Sequence, residues 1–140
     1  MASNAAPLGT ETEAALARWA AAVDCRLVVL FGSSAAEGTG RAGDIDIALW
    51  FLPMPAADRR LRMIGEIQDL CGRRRADIVF LRPETNPVLR FEIFRGGRPL
   101  HEAAAGVFVS EAVRALALYE DALPFRRMLR DSIIRRAVKS

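Results

Sequence analysis

The 140-residue chain holds one histidine, two cysteines and, among its 20 basic residues, a single lysine, Lys139. Each shortage excludes something. A Ser-His-Asp triad or a His-rich metal centre would rest on His101 alone, and no serine or cysteine in a recognisable nucleophile motif accompanies it. Cys25 and Cys71 form no CxxC pair and fall in segments patterned for regular structure, so they read as reduced thiols acting as small apolar side chains. No apolar run approaches the roughly 20 residues that cross a bilayer. The opening stretch MASNAAPLGTETE lacks a basic start followed by an apolar run, so it does not resemble a signal peptide. The expectation is a cytoplasmic protein with no membrane partner. A net charge of +3 is too small to imply direct nucleic-acid binding. The preference for arginine over lysine reads first as a compositional habit.

What is present suits one core. At 51% hydrophobic and 26% charged, the chain can bury a core and stay soluble. Residues 1–9 read as a flexible tail, and residues 10–140 as one domain with C-terminal helices from about residue 107. Thr10 and Glu13 fit a capping box that opens a helix to about Val23. Arg26 to Phe31, Asp44 to Phe51 and Asp77 to Leu81 are short apolar runs and read as strands. Between the second and third, Leu61, Ile64, Ile67 and Cys71 recur at helical spacing up to Gly72. Asn86 to Phe94 reads as a short helix and Arg95 to Arg98 as a tight turn. An amphipathic helix over Ser110 to Leu123 carries Val109, Ala112, Val113 and Leu116 on one side. Pro124 is expected to interrupt it before a second helix resumes over Phe125 to Val138. Leu116, Met128 and Ile133 are expected to pack on the chain's own core. The order predicts an α/β or α+β fold: a small sheet, flanking helices and a helical C-terminal third.

The segment FGSSAAEGTGRAGDIDIAL, Phe31 to Leu49, holds two competing patterns. Gly38, Gly40 and Gly43 satisfy the spacing of a dinucleotide-binding loop, but that loop must run from a strand into a helix. Here a strand follows, so no helix N-terminus waits for a pyrophosphate. A P-loop would need lysine after Gly43, where Asp44 stands. The glycines read as a flexible connection.

The acids carry more. Asp44 and Asp46 lie two apart on a strand, so both share one face, with Ile45 and Ile47 on the other. Their Cα atoms would be about 6.5–7 Å apart. Carboxylates that close repel unless a proton or a cation intervenes, and a hard cation such as Mg²⁺ suits the oxygen donors. Asp77 opens the next strand, so neighbouring strands can present three acids to one point. Three acids can hold two ions roughly 3.5–4 Å apart for phosphoryl transfer. Gly32 and Ser33, where the first strand ends, can offer backbone N–H groups and a hydroxyl to phosphate. An aspartyl phosphatase would place its acids at the end of a strand, an EF-hand would need further acids, and DxD glycosyltransferases are usually much longer.

Gly32-Ser33, ten residues, then Asp44-Ile45-Asp46 resembles the GSx10DxD signature of polymerase beta-like nucleotidyltransferases. NPVLRFEIFRGGRPLHE, Asn86 to Glu102, and ALALYEDALPFRRML, Ala115 to Leu129, look like the minimal nucleotidyltransferase (MNT) antitoxins that partner HEPN ribonuclease toxins. The resemblance implies a small mixed sheet with its site at one end. It implies transfer of AMP from ATP to a tyrosine hydroxyl of the toxin, with release of pyrophosphate. By position, Gly32 and Ser33 would hold the triphosphate, Asp44 and Asp46 would bind two Mg²⁺ ions, and Asp77 would complete the ligand set and help deprotonate the hydroxyl. Arg41 is the candidate phosphate contact in the loop. Many relatives carry an arginine before the glycine of the loop, in a form like GSxARG, where this chain has Ala36-Glu37-Gly38, with the charge reversed and the glycine displaced by one. That reversal bears on nucleotide affinity, not on the carboxylates. Transfer to a small-molecule hydroxyl, or neutralisation of a partner by contact alone, are the alternative readings. Arg82, Arg90, Arg95 and Arg98 read as solvated or ion-paired.

Overall fold

The computed structural model describes residues 8–32 and 44–139. Helix α1 (Thr10–Ala22) leads into β1 (Leu27–Phe31), and β2 (Ile45–Trp50) returns beside it. Helix α2 (Ala57–Cys71) crosses to β3 (Ala76–Phe80), helix α3 (Pro87–Gly96) to β4 (Arg98–Glu102), and the chain ends in the long helix α4 (Val107–Lys139). The sheet order is β3-β2-β1-β4. β1 runs antiparallel to β2 and β4, while β2 and β3 are parallel. The parallel pair follows from α2, because two parallel strands need a long crossover between them.

Alternation along the strands divides the core in two. Val28, Leu30, Ile45, Ile47 and Leu49 face α1 and α2, meeting Leu16, Ala20, Met63 and Ile67. Leu27, Val29 and Ala48 face the other way, onto Ile93 and Phe94 of α3 and Ala115 of α4. Both faces are covered, which is why β1 and β2 read as nearly continuous apolar runs. Cys25 and Cys71 are free and buried, and burial pushes the Cys25 thiol up to about 11. At neutral pH it stays protonated and unreactive, as the sequence suggested. His101 lies on β4 with Nε2 3.1 Å from the Cys25 carbonyl oxygen, a structural contact. No helix among the described residues is long and apolar enough to cross a membrane.

Several sequence expectations fail. Thr10 is not the cap of α1. Gly9 holds that place, without a side-chain cap. Glu13 instead accepts the Leu8 N–H at 3.0 Å and a forked pair of bonds from Arg98 on β4. That charge-assisted fork lowers the Glu13 carboxyl pKa and fastens α1 to the sheet edge. Leu8, expected in a loose tail, packs against the core. On α2 the buried positions are Met63, Ile67 and Cys71, whereas Leu61 stands 71% exposed. Arg98 to Glu102 is a strand, not the end of a turn. It lies at the sheet edge, where Pro99 removes no needed bond. Pro124 does not interrupt α4, which runs unbroken through it. Pro124 is exposed, and a helix can bend there because the freed carbonyl meets water. Finally, Leu116, Met128 and Ile133 do not pack on the core; they are 45%, 56% and 64% exposed.

Candidate active site

The acids gather at one end of the sheet because of strand direction. β2 begins where β3 begins, as the two are parallel, and β1 ends there, as it is antiparallel to β2. The register sets Asp46 directly beside Asp77 on one side and beside Phe31 on the other. Asp44 lies just before β2, two residues from Asp46, and Gly32 lies just past β1. Ile45 and Ile47 enter the core under α1 and α2, so the alternation turns Asp46 toward the α3 and α4 side, the side of Val79 and Ala48.

Gly32 has a positive φ of 121°, a conformation that L side chains rarely adopt. A Cβ placed there would overlap the Asp46 carboxylate. The glycine and the acid are therefore sterically coupled: the absent side chain makes room for the carboxylate at the end of β1.

The Asp46 carboxyl is raised above its ordinary value, first by burial and then by the negative charges of Asp77 and Asp44. Asp77 is held by Arg75, whose Nε lies 3.2 Å from Oδ1. Arg75 is itself fixed through its backbone, since its carbonyl accepts the Ile45 N–H at 2.8 Å. Gln68 of α2 supports the same approach, donating to the Arg74 carbonyl at 2.6 Å and accepting the Ala76 N–H at 2.9 Å. Neither Arg75 nor Gln68 stood out in the sequence. The run Arg73-Arg74-Arg75 just ahead of an acid was the available signal for the first; nothing local marks the second.

Among the described residues, no three His, Cys, Asp or Glu side chains are drawn close enough to hold a metal ion as they stand. The donor set nevertheless fits a hard divalent cation. Asp44, Asp46 and Asp77 all lie toward one sheet end, and burial, then the charges of the other two, favours a proton on Asp46. Ser33, Arg41 and Glu37 lie outside the described residues. Of the other arginines, Arg98 is bonded to Glu13 and Arg95 to Glu92. Arg90 is buried, with Nη1 3.9 Å from Glu111 and a bond to the Arg82 carbonyl. These three serve the fold.

Comparison with known proteins bears on the family and the fold. Residues 19–105 match the family described as polymerase beta, nucleotidyltransferase. A comparison with curated protein sequences gives no match. Among solved structures, a tri-AMPylated Shewanella oneidensis HEPN toxin in complex with MNT antitoxin includes a similar chain, with a TM-score of 0.69 and 20% identity over 88% of this chain and 96% of that one. A toxin-antitoxin structure with AMP-PNP gives a TM-score of 0.70 and 21% identity, over 90% of this chain and 99% of that one. The toxin-antitoxin MntA-HepT gives 0.69 and 19%, over 88% and 97%.

Proposed function

Since the chain belongs to the polymerase beta nucleotidyltransferase family, we propose that it transfers AMP from ATP to a tyrosine hydroxyl of a partner HEPN-type toxin and thereby neutralises it. The observation that carries this reading is the register of Asp46 with Asp77 beside Gly32. Acids on adjacent strands and a close backbone approach are what triphosphate chemistry needs at one point.

The hydroxyl oxygen attacks the α-phosphorus of ATP, the bond to the bridging oxygen of the β-phosphate breaks, and pyrophosphate leaves. Asp77 accepts the hydroxyl proton. Gly32 and Ser33 hold the triphosphate through the backbone and a hydroxyl, and Arg41 meets a phosphate. Asp44, Asp46 and Asp77 would hold Mg²⁺, which supplies charge neutralisation at the attacking and leaving oxygens when bound. Arg75 keeps Asp77 oriented at the mouth of the site. The similar antitoxin chains, one beside an AMPylated HEPN toxin and one in a structure with AMP-PNP, support the choice of nucleotide and acceptor.

One sequence feature favours a second reading. Glu37 places an acid in the loop expected to face triphosphate, as it would in a protein that neutralises its partner by contact alone. The test is incubation with labelled ATP, Mg²⁺ and the candidate toxin, or aminoglycosides as small acceptors, beside an Asp44→Ala/Asp46→Ala variant. Label on the toxin with the wild-type chain only is the expected result, with the variant lower by at least about a thousandfold. Equal label in both sinks the catalytic reading. Equal protection of cells by both favours contact alone.

A further inference from the structure

Eight of the eleven exposed large apolar side chains among the described residues lie on α4. The helix has 33 residues and so runs about 50 Å. Among the described residues its contacts with α3 come from the first half: Phe108 lies tilted against Phe94, Tyr119 stacks on Phe91, and Glu111 faces Arg90. Helix α3, which makes those contacts, has 10 residues.

The unused surface is ordered. Val109, Val113 and Leu116 are 64%, 63% and 45% exposed, at spacings of four and three. The same alternation continues through Glu120, Leu123, Arg127 and Arg130 to Ile134, which is 52% exposed. That is a heptad seam, separate from the stripe of Glu111 and Ala115 that faces the body. Its two ends are apolar and its middle is charged, with acid before Pro124 and base after it.

The charge order decides what can lie on it. From residue 107 to 124 the sequence holds three acids, Glu111, Glu120 and Asp121, against Arg114. From 125 to 139 it holds six bases against Asp131. Two copies laid parallel would set Glu120 on Glu120 and Arg127 on Arg127. Laid antiparallel and crossing near Pro124, each copy's Glu120 meets Arg127 and Arg130 of the other, and each Leu116 lies toward the other's Ile134. The halves of one helix are thus complementary to each other, which is the requirement of a two-fold, self-complementary interface.

We infer that α4 is a self-association element, through which two copies of this chain pair antiparallel along the Leu116-to-Ile134 part of the seam. This does not depend on the proposed chemistry. Sedimentation and light scattering of the full chain, from about 1 to 200 µM, test it. The wild type is expected to be a dimer that weakens as salt rises. Glu120→Arg, and separately Arg127→Glu/Arg130→Glu, each weaken the dimer at least about tenfold. Combining all three reversals restores it to within about threefold. All these positions are exposed, so unchanged circular dichroism and melting verify that each variant is folded. A wild type that stays monomeric overturns the inference. So does a dimer indifferent to the reversals, a combined variant that fails to recover, or a seam that engages only a different protein.

Discussion

Two charged clusters in this molecule are built on opposite principles. At the sheet end, Asp44, Asp46 and Asp77 crowd like charge together, and the Asp46 carboxyl is raised by burial and by its two neighbours. Between α3 and α4, Arg90 and Glu111 carry opposite charge, with side chains only 9% and 11% exposed. Arg90 also donates to the Arg82 carbonyl, so the guanidinium has a hydrogen-bond acceptor on one side and a carboxylate on the other. The second arrangement supports the fold. The first opposes it, as the cation-binding, proton-accepting centre proposed above would require. Like charges kept together at a local cost, even with Arg75 paired to Asp77, mark this as the candidate functional cluster.

The sharpest way to break that contrast is to treat the two alike. Arg90→Ala leaves Glu111 buried without its partner and should cost about 3–5 kcal/mol in urea unfolding. Arg90→Met with Glu111→Leu should recover most of that loss, since an apolar pair packs there without desolvating charge. A double variant as unstable as the single one would place the pair's value in its charge, not its packing. Gly32→Ala comes next. The methyl group overlaps the Asp46 carboxylate and φ lies in the left-handed region, so stability should fall by about 1–3 kcal/mol and AMP transfer with it. Retained transfer at wild-type rate would separate Gly32 from the acids.

The smallest effect has the opposite sign. Because its pKa is raised, Asp46 keeps its proton to higher pH in the folded chain than in the unfolded one. Its charge therefore works against folding as pH rises through that interval. Asp46→Asn, measured with EDTA at pH 7, should melt roughly 2–4 °C higher than the wild type. The gain should vanish below the ordinary carboxylate pKa of about 4. Transfer activity should be lost in the same protein. A lower melting temperature at pH 7 would mean that the carboxylate is structural after all.

The same contrast explains what could be read in advance. Strands β1, β2 and β3 were legible because each is a short β-branched, apolar run ended by glycine or proline, and doubly covered strands leave that signature. The acids stood out because polar residues at the head of such runs are costly. Strand β4, Arg-Pro-Leu-His-Glu, was not legible. It has no alternation of its own and exists because β1 offers an open edge. Arg75 and Gln68 were hidden for a related reason. Gln68 sits eight residues before the Ala76 N–H it accepts, across a helix end.

On α4 the periodicity was visible, but its meaning was not. Helical spacing shows that a face is apolar, not what that face touches. Val109, Ala112, Val113 and Leu116 formed one legible stripe, yet of these Ala112 packs against the core while the fold buries Glu111 and Ala115. The choice is made by where α3 lies and by the pairing of Arg90 with Glu111. Sequence by itself determined strands β2 and β3 and the face of β2 that carries Asp46, because the two-residue period of a strand is a local rule. Only the tertiary structure decided that Asp77 stands beside Asp46, that Gly32 makes room for its carboxylate, and that half of the longest helix faces outward. Those depend on strand direction, register and helix length, which are settled between segments and not within them.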